Sequence, residues 1–446
     1  MPLKRGLIGL FIKFFLLFLF ITVRIAWSQE KGALVASPVN AVPSPRPDRI
    51  VLSWVADPTT SFTVTWRTNN AVKTPKAEVA VADASPLFTQ QAQEVLAETE
   101  SIKTESGAAL YHQVTFQNLK PNTQYAYRVG DGTYWSEWYQ VKTANNQPEP
   151  FSFIYLGDAQ NELFSLWSRT IRAAYAAAPQ AKFIVHTGDL INHAEADAEW
   201  QEWFSAGSFI HATIPSLPTP GNHEYTRTVG IPTLTRLWQP QFTLPSNGIK
   251  DLKDTNYYVD YQNVRIISLN SMMHVPAQAD WLEKILKNNP QQWTFVFFHY
   301  PVFSTSGRNE IGHLEKHWKP IFDKYQVDLV MQGHEHNYAR GTNLPFGVNY
   351  RDNQTGTVYV VSVSGPKMYE LTPEPWMNRT AENTQLYQVI TVNNDQVLFK
   401  AITVTGEIYD QFELRKKPGQ PNTLINIKNS WNPERHFNNT LSKPQN

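Results

Sequence analysis

The most informative absence in this chain of 446 residues is cysteine, which does not occur. Without cysteine there are no disulfide bonds, no thiolate metal ligands and no cysteine nucleophile. A bound metal ion would therefore be held by His, Asp, Glu, Asn, Gln or Tyr side chains.

An excess of charge of one sign is also absent. Lys and Arg number 39, as do Asp and Glu, so the formal net charge is zero. No strong global field favours nucleic acid or an anionic membrane, and we predict no nucleic-acid binding. Hydrophobic residues make up 41% of the chain, which at this length predicts two or more folded domains.

The first 28 residues have the pattern of an export signal. Basic Lys4 and Arg5 precede an apolar run over residues 7–23, and Ala26-Trp27-Ser28 then fits the small-x-small site of a signal peptidase. This pattern predicts cleavage after residue 28, a secreted or periplasmic protein and no stable membrane association afterwards. The alternative is an uncleaved membrane anchor, although the run contains Lys13 and is shorter than the roughly 20 residues that span a bilayer.

Residues 29–47 are rich in Pro, Ser, Ala and Val, which indicates a linker, and residues 48–145 have the pattern of an all-β sandwich. Short β-branched and aromatic runs alternate there with turn signals. The segment 119–125 resembles the turn and tyrosine corner of fibronectin-type domains. The predicted strands are 50–54, 62–66, 78–81, 111–116, 125–129 and 138–142.

Residues 148–415 alternate apolar strands with helical stretches, which predicts an α/β domain. From residue 357 to residue 414 the pattern becomes β-rich again. Residues 416–446 are polar without periodicity and are predicted to form a surface tail. The predicted helices are 163–178, 197–209, 278–287 and 314–325.

Chemically competent side chains follow five apolar strands of this domain. Continuous apolar runs are typical of strands buried on both faces, and ligands of open α/β sheets gather at the carboxyl ends of such strands. Each motif alone is weak, because a single Gly-Asp pair is usually a turn and a single buried histidine usually fills the core. Together they predict one site. The motifs are Asp158, Asp189, Asn222-His223-Glu224, His299 and His334-Glu335-His336.

This order of motifs resembles the calcineurin-like metallophosphoesterase superfamily, and the preceding sandwich resembles the N-terminal domain of purple acid phosphatases. The resemblance covers roughly residues 48–415. It implies a fibronectin-III-like sandwich followed by an α/β phosphoesterase domain, in which two sheets pack together between flanking helices. It also implies a dinuclear centre of Fe, Mn or Zn.

The resemblance assigns a role to each motif residue. Asp189 would bridge two metal ions, and a carboxylate can span ions about 3.5–4 Å apart. The first ion would be bound by Asp158 and His336. The second ion would be bound by Asn222, His299 and His334.

His223 would stabilise the phosphate or protonate the leaving group, the alternative being that it only orients Asn222. The implied activity is hydrolysis of phosphate monoesters in the manner of acid phosphatases, with a metal-bound hydroxide as nucleophile and a small phosphate ester as substrate. A phosphodiesterase or nucleotidase is the alternative on the same fold. A non-catalytic binding protein would require a degraded metal site.

Two positions depart from the family pattern. Asn192 stands where purple acid phosphatases carry the tyrosine that binds ferric iron, so we predict a protein without the tyrosinate colour. Gln160 stands where many related phosphodiesterases carry a metal-binding histidine. It would either bind the first metal ion through its carbonyl oxygen or be a hydrogen-bonded loop residue. Further candidates for substrate contact, by proximity to the motifs alone, are His193, Tyr300, Arg308 and His313.

Overall fold

The computed structural model describes residues 39–226, 230–307, 312–344, 353–427 and 433–437. The predicted export signal, most of the predicted linker and Arg308 lie outside these ranges. Among the described residues, no helix is long and apolar enough to cross a membrane.

The N-terminal domain is built from two antiparallel sheets, as the strand spacing predicted. One sheet has the order β1 (Asp48–Ser53), β2 (Phe62–Asn69), β6 (Gly107–Phe116) and β5 (Glu98–Thr104). The other has the order β4 (Gln93–Leu96), β3 (Lys76–Val81), β7 (Gln124–Gly130) and β8 (Tyr139–Lys142). The sheets pack through aromatic side chains, with the ring centroids of Phe62 and Tyr127 5.6 Å apart.

Two features of this domain bear on the sequence predictions. The hydroxyl oxygen of Tyr125 accepts the N–H of Lys120 at 2.8 Å, which is the corner expected from the segment 119–125. Strands β4 and β5 were not predicted, because their exposed residues are mainly polar and their partners lie elsewhere in the chain. The closer likeness to fibronectin-type domains stays a prediction.

The second domain contains two large sheets. The first has the order β11 (Ser216–Pro218), β10 (Ile184–His186), β9 (Phe151–Leu156), β22 (Leu386–Asn393), β23 (Gln396–Thr403), β24 (Ile408–Arg415), β25 (Asn422–Asn426) and β19 (Gln354–Thr355). The second has the order β14 (Tyr257–Tyr261), β15 (Val264–Ser268), β16 (Trp293–Phe298), β17 (Leu329–Gln332), β20 (Val358–Val361), β18 (Tyr338–Thr342) and β21 (Met377–Ala381). A short hairpin pairs β12 (Tyr225–Thr226) with β13 (Thr233–Leu234).

Parallel pairing within each sheet explains the continuous apolar runs. Strands β9, β10 and β11 are parallel, as are β15, β16, β17 and β20, and strands of this kind are covered on both faces. The two sheets meet through aromatic rings, since Phe153 of β9 lies 5.8 Å from Phe295 of β16. All carboxyl ends of a parallel set lie at one edge, which places the motif residues together.

Helices cover the outer faces of these sheets. The first predicted helix begins with a π-helical turn at Leu163–Trp167 and continues as α1. The α-helices are α1 (Ser168–Ala177), α2 (Asp197–Gly207), α3 (Phe209–Thr213), α4 (Trp238–Gln241), α5 (Val275–Lys287), α6 (Gly312–His317) and α7 (Lys319–Tyr325).

The predicted polar tail over residues 416–446 is wrong for its first part. Strand β25 pairs with β24 and β19 and extends the first sheet. Polar contacts hold this end of the chain, because Lys416 forms an ion pair with buried Asp328 at 2.7 Å and Asn422 donates to the same carboxylate at 2.6 Å. The segment lacks apolar periodicity because these contacts, rather than a buried apolar face, fix it.

A buried ionic cluster joins the two domains. Asp197, the first residue of α2, pairs with Arg49 of β1 at 2.7 Å and with Arg67 of β2 at 3.2 Å. All three side chains are essentially inaccessible to solvent, and Gln201 accepts from both guanidinium groups. Because buried charges are costly when left unpaired, this cluster fixes how the sandwich sits on the second domain.

The substitution Asp197→Asn is therefore expected to lower the free energy of unfolding by about 3–5 kcal/mol, since it leaves a buried guanidinium without its counter-charge. Urea unfolding of the variant and the wild type measures the difference. Glu283→Gln removes an exposed pair with Lys324 and serves as a control with no measurable change. An unfolding midpoint for Asp197→Asn equal to that of the wild type would contradict this account.

Candidate metal centre

The strand ends bring the predicted ligands together in two groups that share one residue. Asp158, Asp189 and His336 form one group, and Asp189, His299 and His334 form the other. Within each group, one carboxylate oxygen or imidazole nitrogen from each residue lies within 4.8 Å of those of the other two. The shared Asp189 carboxylate therefore stands between two potential metal positions.

Asn222 and His223 adjoin the second group. The side-chain oxygen of Asn222 lies 3.1 Å from Nε2 of His299. The backbone N–H of His223 donates to Oδ1 of Asp189 at 2.9 Å, and its Nε2 lies 3.9 Å from Oδ2 of the same residue. The His223 side chain is 26% exposed and His334 is also partly exposed, so the two imidazoles stand on the solvent side of the buried ligands.

Backbone carbonyl groups orient three of the imidazoles. Nδ1 of His299 lies 2.9 Å from the carbonyl oxygen of Thr187, and Nδ1 of His336 lies 2.9 Å from that of Lys367. Nδ1 of His223 lies 2.6 Å from the carbonyl oxygen of Asn192. A carbonyl only accepts, so each Nδ1 carries a hydrogen, which leaves Nε2 as the nitrogen that can bind a metal ion or exchange a proton.

The backbone at the site adopts conformations that side chains rarely allow. Asp158, Asp189 and His334 have φ angles of 43°, 51° and 73°. Such left-handed residues cost roughly 1–3 kcal/mol each and concentrate at functional sites. The neighbouring glycines are needed for space, because a Cβ atom on Gly221 would lie 2.2 Å from Oδ1 of Asp189 and one on Gly333 would lie 2.5 Å from Oδ2 of Asp158.

Glu224 holds the loop that carries Asp189. Its carboxylate accepts the backbone N–H groups of Gly221 at 2.6 Å, Leu190 at 2.8 Å and Asp189 at 2.9 Å. Burial and the nearby Asp189 carboxylate raise the pKa of Glu224 to about 7, while these N–H groups act against the shift. Glu224 belongs to a motif that the sequence predicts, but the motif alone gave this residue no role.

The electrostatics of the buried acids favour a bound cation. Burial raises the pKa of Asp158 well above its usual value, although His299 opposes the shift. Burial also favours a higher pKa at Asp189, but His299, with Nε2 3.3 Å from Oδ2, outweighs it and the pKa is lowered. Burial acts to lower the pKa of His299, yet attraction to Asp189 raises it to about 9. Positive charge is therefore stabilised at this position.

Two further imidazoles remain neutral here. Burial lowers the pKa of His334 to about 2 and that of His336 to about 4. Neutral imidazoles keep the lone pair that binds a metal ion. Carboxylates, amide oxygens and imidazoles without thiolates suit Fe, Mn or Zn, so the residues present fit the pair of ions that the motifs implied.

The two departures from the family pattern occupy different places. Gln160 is fully buried and contacts the first group through its side chain. Asn192 instead turns its amide toward His193, with its Nδ2 3.2 Å from Nε2 of that ring, and contributes the carbonyl that orients His223. Asn192 therefore acts on the site through its backbone.

The further candidates for substrate contact also differ in their distance from the cluster and in their exposure. The Tyr300 ring lies 4.2 Å from that of His334 and is thus beside the cluster. His193 has a 70% exposed side chain that pairs with Glu199 at 2.6 Å. His313 is exposed in α6 and belongs to neither ligand group, and its contact with substrate stays a prediction.

Sequence reasoning missed the loop after β20 that closes the site on the side of His336. Gly365 donates its N–H to the carbonyl oxygen of Asp158 at 2.9 Å, and Tyr369 donates its N–H to that of His336 at 2.9 Å. The Tyr369 ring lies 4.6 Å from the His336 ring, and the Lys367 ammonium lies 5.5 Å from the centroid of Tyr369. The one available signal was a Gly-Pro pair after an apolar strand, the same position in which the other motifs occur.

Comparisons with known proteins agree with this arrangement. Residues 47–143 match the family model of the purple acid phosphatase N-terminal domain, and residues 151–338 match that of calcineurin-like phosphoesterases. An uncharacterized protein of Mycobacterium tuberculosis is 28% identical over 377 residues, which cover 71% of this chain and 69% of that protein. An Fe(3+)-Zn(2+) purple acid phosphatase of Arabidopsis thaliana is 25% identical over 256 residues, or 52% of each chain.

A solved structure shows the same fold. The purple acid phosphatase from yellow lupin seeds superposes with a TM-score of 0.72 at 19% identity, covering 84% of this chain and 75% of that one. The order of a sheet-rich N-terminal domain and an α/β domain, predicted from the sequence, is confirmed.

Glu224→Gln tests the support of the Asp189 loop. The new amide NH2 group would face backbone donors, so the variant is expected to lose about 1–3 kcal/mol of stability and to bind added Mn²⁺ about 10–100-fold more weakly. Calorimetric titration with Mn²⁺ measures the second effect.

The matched control is Asp254→Asn, which alters a buried carboxylate outside the ligand groups that accepts the N–H of Leu244 at 2.8 Å. It is expected to reduce stability without changing Mn²⁺ affinity. Equal Mn²⁺ affinities for Glu224→Gln and the wild type would show that Glu224 does not position the ligands.

Proposed function

We propose that this chain hydrolyses phosphate monoesters at a centre of two metal ions, because residues 47–143 match the purple acid phosphatase N-terminal domain and residues 151–338 match the calcineurin-like phosphoesterases. These matches and the phosphatase relatives indicate a hydrolase that acts on phosphoester bonds. The observation that carries the proposal is the pair of ligand groups that share Asp189.

The side chains would divide between the two ions as the resemblance implies. Two ions so held would polarise the phosphoryl oxygens and supply an activated water as nucleophile. Because the donors are carboxylates, an amide oxygen and imidazoles, the proposed ions are Fe, Mn or Zn. The first ion would be held by Asp158, Asp189, His336, and the second by Asp189, Asn222, His299, His334.

The chain positions these donors before any ion arrives. Glu224 and the strained loop conformations hold Asp189 and Asp158 in place, while carbonyl groups orient His299 and His336. Such preorganisation lowers the reorganisation needed when charge develops on the phosphoryl group.

His223 is the proposed proton donor to the leaving group. Its Nδ1–H is held by the carbonyl oxygen of Asn192, so Nε2 is the atom free to carry and release a proton. Its partial exposure on the solvent side of the buried ligands suits a group that meets the substrate. In this role it stabilises the phosphate while the leaving oxygen takes up the proton.

A phosphodiesterase or nucleotidase is the second candidate. The observation that favours it is Gln160, which occupies the place of a metal-binding histidine of many related phosphodiesterases and contacts His336 and Asp189 directly. A binding protein without catalysis is disfavoured, since both ligand groups are complete in their carboxylates and imidazoles.

We also propose that the protein acts outside the cytoplasm on a small phosphate ester, without nucleic acid as partner. The support is the basic and apolar N-terminal pattern that ends at Ala26-Trp27-Ser28, together with the balanced charge.

Turnover of a mono- and a bis-nitrophenyl phosphate by the purified protein tests the activity. With Mn²⁺, Zn²⁺ or Fe added in turn, we expect faster hydrolysis of the monoester. Asp189→Asn should reduce kcat/KM by about two orders of magnitude or more, because it weakens both metal positions together.

Asp260→Asn makes the same chemical change in a carboxylate that pairs with Arg265 outside the ligand groups, and it should keep wild-type turnover. Preferential hydrolysis of the diester would select the second candidate. No turnover by folded protein with any of these metals would refute hydrolysis at this centre.

The colour of iron-loaded protein tests the role of position 192. Since Asn192 replaces the tyrosine and turns its side chain away toward His193, oxidised protein with bound iron should lack the strong tyrosinate band. A visible spectrum recorded at a measured iron content decides this. An intense purple band at full iron loading would contradict the assignment of position 192.

A further inference from the structure

The side-chain amide of Gln160 has one end that is hydrogen-bonded and one buried end that is not. It is fully buried, and its Nε2 lies 3.0 Å from Oδ2 of Asp189 and 2.9 Å from Nε2 of His336. Its Oε1 is also buried and has no hydrogen-bond partner within the described part of the chain. A buried amide oxygen without a partner costs free energy and calls for an explanation.

The backbone of Gln160 is fixed on two sides. The backbone N–H of Gln160 donates to the carbonyl oxygen of Asp189 at 3.1 Å. On the other side Gly365 packs so closely that a Cβ atom there would lie 2.9 Å from the carbonyl oxygen of Gln160. The backbone is thus fixed where the side-chain amide reaches Asp189 and His336, and rotation about the last side-chain bond exchanges its NH2 group and its carbonyl oxygen.

The two atoms that Gln160 contacts are those the proposed function assigns to the first metal ion. Nδ1 of His336 donates to the carbonyl oxygen of Lys367, which leaves the Nε2 lone pair facing the Gln160 amide. A cation bound to that lone pair and to Oδ2 of Asp189 would meet the hydrogens of an NH2 group. Rotation of the amide by half a turn replaces these hydrogens with the carbonyl oxygen.

We propose, on the basis of the proposed function, that the carbonyl oxygen of Gln160 is a ligand of the first metal ion beside Asp158, Asp189 and His336. The amide adds a neutral oxygen ligand, and Asn192, which stands where purple acid phosphatases carry the tyrosine, supplies no anionic one. The first position therefore carries less negative charge and selects a divalent ion over Fe³⁺. Gln160, rather than residue 192, completes this coordination sphere.

The competing role for Gln160 is that of a donor that only holds Asp189 and His336 in place. The two roles predict opposite results for Gln160→Glu. A carboxylate has no hydrogen to donate, so Glu fails as a donor, whereas it supplies a stronger metal ligand. Gln160→Leu removes the ligand atom and the donor together.

The experiment measures binding of Mn²⁺ and Co²⁺ to the full chain by equilibrium dialysis with elemental analysis, together with the visible spectrum of the Co²⁺ form. We expect two ions per wild-type chain. Gln160→Leu should weaken one of them at least tenfold and change the d–d absorption through the loss of one oxygen ligand. Gln160→Glu and Gln160→His should bind that ion as tightly as the wild type or more tightly.

Gln388→Leu is the matched control, because Gln388 is likewise fully buried with an unpartnered Oε1 among the described residues but lies outside the ligand groups. It should bind both ions as the wild type does. If Gln160→Leu bound both ions as tightly as the wild type, Gln160 would not be a ligand, and the dinuclear centre would stand. The same conclusion would follow if Gln160→Glu bound the affected ion as weakly as Gln160→Leu does. A wild-type chain that binds no pair of ions would overturn both.

Discussion

The position of the Asp189 carboxylate is the constraint on which the rest of the site depends. Its Oδ1 accepts the N–H of His223, and its Oδ2 lies 3.3 Å from Nε2 of His299. It belongs to both ligand groups, so a small displacement would separate two metal positions at once. The left-handed backbone of Asp189, the space left by Gly221 and the carboxylate of Glu224 serve to keep it there.

This constraint explains the organisation of the surrounding fold. Parallel strands deliver their following loops to one edge, and two sheets joined by aromatic packing bring two such edges together. The unfavourable terms, which are strained loops and buried acids, are offset by the large shared core. The sandwich adds to that core through Trp54, which lies 5.9 Å from Phe183, and through the ionic cluster around Asp197. A domain that contributes no residue to the ligand groups thus supports the sheet that precedes Asp189.

Much of the fold and of the site could be predicted because both depend on local patterns. An apolar run followed by a polar ligand residue is visible in one sequence, and five such runs, four of them with a glycine before the ligand or motif, predict one edge. Contacts between distant residues could not be predicted in the same way. Strand β22 lies between β9 and β23, and nothing local in 386–393 specifies that neighbour. For the same reason, neither the ion pair between Arg49 and Asp197 nor the contact of the Lys367 loop with His336 could be predicted. Strands β4, β5 and β25 were missed because polar contacts and strand pairing, not a buried apolar face, define them.

The central claim is that two metal ions share Asp189, and diffraction from crystals soaked in Mn²⁺, recorded at the manganese absorption edge, tests it most directly. The account predicts two anomalous peaks about 3.5–4 Å apart on either side of the Asp189 carboxylate. One peak should lie beside His336 and the other beside His299 and His334. A single peak, or two peaks that do not flank Asp189, would contradict the account.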